Sequence, residues 1–164
     1  MLMGKLLAEF GMREGYNVTW MPSYGAEVRG GTAHCMVRMS SGSIASPLIS
    51  SPSACIIMNA PSLRKFMDKV KKDGLLVINT SMVESIIEKE SVRIAGFPFT
   101  QLASGLENVK VANMLALGAF MKLKNLFSFK KVRDSLGEVL PLKADLVALN
   151  KKALEMGYEL PDGR

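Results

Sequence analysis

At 164 residues the chain has the length of one ordinary domain, and a chain of this size buries enough apolar surface to need neither disulfide nor metal. Hydrophobic residues make up 48% and charged residues 22%, a soluble globular balance with no apolar run near the ~20 residues of a membrane span. The net charge of +6 raises an anionic partner as a question, while the two cysteines exclude a disulfide framework or a spaced zinc site and fit a reducing cytoplasm.

The opening "MLMGKLLAEF" is too short and too quickly charged for a signal peptide. "LLAEFGMREG" has helical spacing of Leu6, Leu7, Phe10 and Met12, with Gly15 placed to end it. "YNVTWM" follows as a strand, Pro22 to Gly31 as a loop, and "TAHCMVRM" as a second, alternating strand. The Ser- and Pro-rich "SSGSIASPLISSPSA" predicts turns and a short edge strand. "ACIIMN" and "LLVINTS" are continuous apolar runs of the kind found in buried parallel strands. Between them "APSLRKFMDKVKKDG" reads as a helix, with Pro61 in its first turn and Gly74 just past its end. "MVESIIEKE" predicts a short helix and "VRIAGFPF" a strand ending at Pro98. The remainder turns helical through "TQLASGL", "VANMLALGAFMKL", a basic segment and "LKADLVALNKKALEMG". This rhythm predicts a single α/β domain over residues 1–164 with a mostly parallel sheet. The twelve methionines read as flexible core filler, with an adaptable contact surface as the alternative.

In such a sheet, ligands and partners sit outside the carboxyl ends of the strands. The loop "PSYGAEVRGG" leaves the strand "NVTW" and is therefore expected at that edge. Glu27 and Arg29 share a face if the loop is extended, and so can lock it or reach another subunit. Gly30 and Gly31 leave amides unshielded, and Arg29 suits a phosphate or carboxylate; a glycine-rich turn braced by an internal Glu–Arg contact is the plainer reading. Asn59 and Asn79 end two strands at the same expected edge, and Asn113 lies early in a later helix; Asn is also a common turn and cap residue. His34 and Cys35 are neighbours on an extended segment, point to opposite faces, and cannot act as base and nucleophile. Cys55 lies in an apolar run and reads as a buried thiol. No catalytic constellation or metal set is visible, so the chain alone is not expected to be an enzyme. The basic stretches "LRKFMDKVKK" and "KLKNLFSFKKVR" predict a solvated helix face or a charged subunit interface. Phe127 and Phe129 make base stacking conceivable there, but no nucleic-acid motif accompanies them.

Several of these stretches together resemble the gamma subunit of the 2-oxoacid:ferredoxin oxidoreductases, most closely the 2-oxoglutarate branch. "MPSYGAEVRGGTAHC" is similar to the family's Pro-x-Tyr-Gly-x-Glu-x-Arg-Gly-Gly-Thr-Ala segment, whereas the pyruvate branch tends to carry a Phe-Gly and Arg-Gly-Ala version. "MNAPSLRKF", "NVKVANMLALGAF" and "LVALNKKALEMGYEL" also fit, in the right order. The resemblance covers nearly the whole chain and implies a Rossmann-like three-layer gamma-subunit domain. The family normally opens with a strand and a Gly-x-Gly-Gly-Gln-Gly turn, whereas this sequence starts just after them, so that first strand is expected to be missing.

The resemblance further implies a cytoplasmic complex of anaerobic metabolism, with alpha, beta and in some cases delta partners. Such complexes decarboxylate a 2-oxoacid on thiamine diphosphate with Mg2+, pass electrons through [4Fe–4S] clusters to ferredoxin, and form an acyl-coenzyme A. The gamma chain binds none of these cofactors alone. Its expected share is a coenzyme A or subunit-interface loop made of Tyr24, Gly25, Glu27, Arg29, Gly30, Gly31 and Thr32, with Asn59, Asn79 and Asn113 as secondary candidates. The rivals are a free-standing Rossmann-like nucleotide-binding domain, a nucleic-acid binder, and the small subunit of an indolepyruvate:ferredoxin oxidoreductase. Neither nucleic acid nor a membrane is the expected partner.

Overall fold

The computed structural model describes residues 1–24, 32–84 and 89–162, which fall into two compact units, 1–50 and 51–164. In the first unit a helix α1 (Leu2–Arg13) is followed by two strands, β1 (Asn17–Ser23) and β2 (His34–Ser40). The helix buries Leu6, Leu7 and Phe10 as its spacing predicts, but Met12 is 54% exposed, because it sits about two hundred degrees around the helix from Phe10. Gly15 ends the helix as expected: at φ 85° it lets the amides of Gly15 and Tyr16 turn back onto the carbonyls of Met12 and Gly11.

β1 and β2 pair antiparallel in a two-stranded sheet of their own. Two expectations change here. The strand runs on through Pro22, which stands opposite Cys35 in the ladder and is tolerated because the sheet has only two strands, both edges. The loop from Tyr24 to Ala33 is then a hairpin connection rather than an exit from a parallel strand. α1 covers the face that carries Val18 and Trp20 opposite Met39 and Val37. Contact is close: a Cβ on Gly4 would overlap Cys35 Sγ, and one on Gly11 would lie 2.7 Å from Met39 Sδ. Across the other face, Arg38 donates to Leu48 O at 3.0 Å and the Ile49 amide meets Met36 Sδ at 3.3 Å, so residues 46–49 pass over it as coil. No edge strand forms in 41–53.

The second unit is an α/β layer structure built on a parallel sheet, order β3–β4–β5, with β3 Ala54–Ile57, β4 Gly74–Asn79 and β5 Val92–Phe97. Every residue of β4 is buried, which suits its apolar run from Gly74 to Ile78 and leaves Asn79 as its one polar side chain. Leu76 and Ile78 enter a cluster with Ile57, Leu63, Val70, Val83 and Val92. Leu75 and Val77 alternate to the opposite face and are equally buried.

The helix after β3, α2 (Ala60–Phe66), is shorter than its sequence suggests and passes into a 3-10 turn at Met67–Lys69. Gly74 is no helix terminator; it opens β4, and Asp73 instead takes the positive φ, 59°. The helix expected over "MVESIIEKE" falls partly on 85–88, outside the described residues. α3 (Phe99–Ser104), α4 (Ala112–Lys124), α5 (Phe129–Val139) and α6 (Ala144–Glu159) complete the unit. α4 is buried nearly all round, from Met114 to Met121. It meets α6 backbone to backbone: a Cβ on Gly157 would overlap Leu115 O, and one on Gly118 would overlap Leu154 O. None of the described helices is long and apolar enough to cross a membrane.

Two stability predictions follow from this packing. Gly157→Ala must part α4 from α6 and is expected to cost about 1–3 kcal/mol. Thermal unfolding of the purified chain reads this, with Gly42→Ala as the control, since its Cβ would meet nothing nearer than 4.0 Å. The second concerns Cys55 on β3, whose burial pushes its thiol up from 9.0 to about 11. The folded chain thus keeps a proton that the unfolded chain releases, so this contribution is whole below pH 9.0 and is lost as pH rises toward about 11. Denaturation profiles across that window should show the loss, and Cys55→Val should flatten it.

Candidate functional site

The polar edge of the parallel sheet is organised by one side chain. Asn79 ends β4 and is only 1% exposed, so its amide must find partners inside the protein. Its Nδ2 donates to Thr100 Oγ1 at 2.9 Å and to Met58 O at 3.3 Å, while its Oδ1 accepts from the Thr100 amide at 3.3 Å. Nearby, Ser81 Oγ accepts from the Gln101 amide at 3.1 Å. The first turn of α3 has no capping side chain of its own, since Pro98 precedes it. Its orphan amides are met instead by side chains from the end of β4 and the turn after it.

Asn59 behaves as the plainer reading of its position requires. Its Oδ1 accepts from the Ser62 amide at 3.0 Å and caps α2, with the side chain exposed beyond β3. Asn113 does not join the two. It lies in the first turn of α4, half-buried, with Oδ1 enclosed and no hydrogen-bond partner among the described residues. Thr100 and Ser81 escaped the sequence reading; a Thr just after Phe-Pro-Phe at a strand end was the available signal, and it resembles any helix start.

The hairpin loop is described only at its margins. Tyr24 follows β1 and is 71% exposed, and Thr32 is half-buried before β2. Gly25, Glu27, Arg29, Gly30 and Gly31 lie outside the described residues. Because β1 and β2 belong to a different sheet from β3, β4 and β5, the expectation that this loop and the two strand-end asparagines share one sheet edge fails. His34 and Cys35 are successive residues of β2, with Cys35 Sγ 3.9 Å from Met1 O. On the basic segment, Phe129 stacks on Tyr158 with ring centroids 3.9 Å apart, so that face of its ring is taken. Arg133 is held by Asp134 at 2.8 Å and Glu155 at 3.1 Å.

The Asn79 network yields a direct prediction. Asn79→Ala removes three hydrogen bonds and leaves the Thr100 amide and Met58 carbonyl without their partner. A loss of about 1–3 kcal/mol is expected in chemical denaturation, whereas Asn59→Ala, at an exposed cap, should cost about 1 kcal/mol.

The ketoisovalerate oxidoreductase subunit VorA of Methanothermobacter marburgensis is 31% identical over 158 residues, 96% of this chain and 33% of that protein. The chain thus spans about a third of that relative's length. The 2-oxoglutarate synthase subunit KorC of Methanothermobacter thermautotrophicus is 28% identical over 144 residues, covering 84% of this chain and 75% of its own. Among solved structures, the 2-oxoglutarate:ferredoxin oxidoreductase of Magnetococcus marinus, with 2-oxoglutarate, coenzyme A and succinyl-CoA bound, superposes with a TM-score of 0.85 at 24% identity. That likeness covers 96% of this chain and 28% of the other, and shows the shared fold. Residues 1–160 match the pattern of one family throughout, and the chain belongs to it: the pyruvate ferredoxin/flavodoxin oxidoreductases.

Proposed function

We propose that this chain is the gamma-type subunit of a cytoplasmic 2-oxoacid:ferredoxin oxidoreductase, an assembly that oxidatively decarboxylates a 2-oxoacid to its acyl-coenzyme A. The observation that carries the reading is the family match over residues 1–160. The first candidate substrate is 2-oxoglutarate, supported by the Tyr-Gly-x-Glu-x-Arg-Gly-Gly form of the loop and by the KorC relative. The VorA relative makes a branched 2-oxoacid the one to test beside it.

In this reading residues 1–164 act as one gamma-subunit domain and the alpha, beta and, where present, delta subunits hold the thiamine diphosphate and its Mg2+. The chain's two cysteines, one in each compact unit, do not fit the four thiolates of a [4Fe–4S] cluster, so the clusters also belong to those partners. The chain's own contribution is the loop from Tyr24 to Thr32. Arg29 offers a planar guanidinium to a coenzyme A phosphate or a partner carboxylate, and the Gly30 and Gly31 amides can approach the same anion without side-chain hindrance. Tyr24, a large aromatic 71% exposed at the margin of that loop, supports a face that another chain covers.

The test is an anaerobic pull-down of the tagged chain from its native extract, with mass spectrometry of the eluate and assays on 2-oxoglutarate, ketoisovalerate, pyruvate and indolepyruvate. Thiamine-binding and ferredoxin-like chains are expected, with coenzyme A-dependent oxidation of 2-oxoglutarate fastest. Arg29→Ala is expected to raise the apparent KM for coenzyme A about tenfold or to loosen assembly. Unchanged kinetics in an intact complex would remove Arg29 from the proposal, and recovery of the chain alone would remove the subunit reading.

A further inference from the structure

The segment that leads from β3 into β4 carries a positive surface that the coenzyme A reading leaves unused. Arg64, Lys65, Lys69, Lys71 and Lys72 are all exposed, with only Asp68 and Asp73 among them. Two of the ammonium groups share one aromatic ring: Lys65 Nζ and Lys69 Nζ lie 5.4 Å and 5.6 Å from the centroid of Phe66. Like charges at this spacing repel, and the ring offsets part of that cost while fixing where both stems run. Lys89 adds a third ammonium, 3.4 Å from Met67 O and 3.7 Å from the Asp68 carboxylate.

The backbone beneath these side chains is tied down. Val70 is buried at 4% exposure, the Lys71 amide donates to Pro52 O at 3.1 Å, and the Ser51 hydroxyl donates to Lys69 O at 3.1 Å. Phe66 and Met67 pack against the apolar cluster beneath β4. The charges therefore stand on an ordered base, and binding an anion there orders only side-chain ends.

We propose that this surface docks an acidic face of another subunit of the same oxidoreductase complex, an inference that rests on the subunit reading above. Charge complementarity selects the occupant. A nucleic acid would want a bare aromatic face for its bases, whereas the Phe66 ring is half-buried and bordered by two ammonium groups. It would also bring phosphates against Asp68 and Asp73, while a protein face carrying both signs accommodates them.

The experiment measures binding of the full chain to the remaining subunits of its complex at about 0.05 M and about 0.3 M salt. Lys65→Glu with Lys69→Glu is expected to weaken binding about tenfold at the lower salt, mainly through slower association, and much less at the higher. The pair Lys65→Gln and Lys69→Gln should fall between, and thermal unfolding should confirm that each variant is folded. Lys143→Glu with Lys152→Glu makes the same charge change at exposed positions of α6 and its start, and should leave binding within about twofold. Equal weakening by both Glu pairs, or by neither, overturns the docking surface while leaving the subunit reading in place. Binding of RNA or duplex DNA that the Lys65/Lys69 pair alone abolishes would overturn the choice of occupant. A parent chain that binds none of the other subunits overturns the subunit reading and this inference with it.

Discussion

The central strand β4 is buried along its whole length, and much of the second unit follows from that constraint. A strand with no solvent-facing side needs apolar residues in both alternating sets, which "GLLVIN" supplies until its last position. The polar residue at that position has to be satisfied by protein. Asn79 meets the demand by spending both ends of its amide on Met58 and Thr100, the residues that follow one neighbouring strand and open the helix after the other. One side chain thus holds together the exits of all three strands. The polar edge where an α/β sheet receives ligands is rigid in this protein because its central donor and acceptor are already used.

Close backbone approach is the second organising theme. α4 has no polar face to turn toward water, so it must be wrapped, and the mutual fit of Gly118 and Gly157 allows α6 to come near enough to do so. In the first unit Gly4 and Gly11 lie on one face of α1, seven residues and two turns apart, and receive Cys35 and Met39 of β2. A two-stranded sheet is marginal by itself. Helix α1, seated by its glycines, covers one face of this one, and the coil 46–49 is hydrogen-bonded across the other.

The sequence made the element order and the apolar strands legible because their patterns are local: "ACII", "LLVIN" and the Gly15 stop each depend on neighbouring residues alone. Pro22 reads as a strand end because proline ends most strands, whereas its tolerance depends on the strand count of the sheet, which no short window contains. Gly74 is ambiguous for a related reason, since a glycine after a helix looks the same whether it caps that helix or starts a buried strand. The Asn79–Thr100 contact joins positions twenty-one residues apart and could not be seen in either segment. The loop "YGAEVRGG" was legible as a motif, because its Gly, Arg and Glu are chemically distinctive, while its placement depended on whether the flanking strands pair with each other or with the parallel sheet.

The excess positive charge is likewise unevenly spent, which bears on the proposed docking surface. On α4, α5 and α6 three of the cations are engaged within the fold: Arg133 holds two carboxylates, Lys151 donates to Asp134 O, and Lys122 donates to Leu160 O at 2.7 Å. Those contacts pin helices, and a screened surface pair adds little more than that. Around Phe66 two ammonium groups, of Lys65 and Lys69, border one aromatic ring, and a ring steadies an ammonium without cancelling its charge. A field that survives beyond the surface steers an approaching protein, whereas a cancelled one does not. Under the proposed function the two surfaces have different work: the glycine-rich loop offers one guanidinium and unhindered amides at close range, and the α2 surface offers charge at longer range.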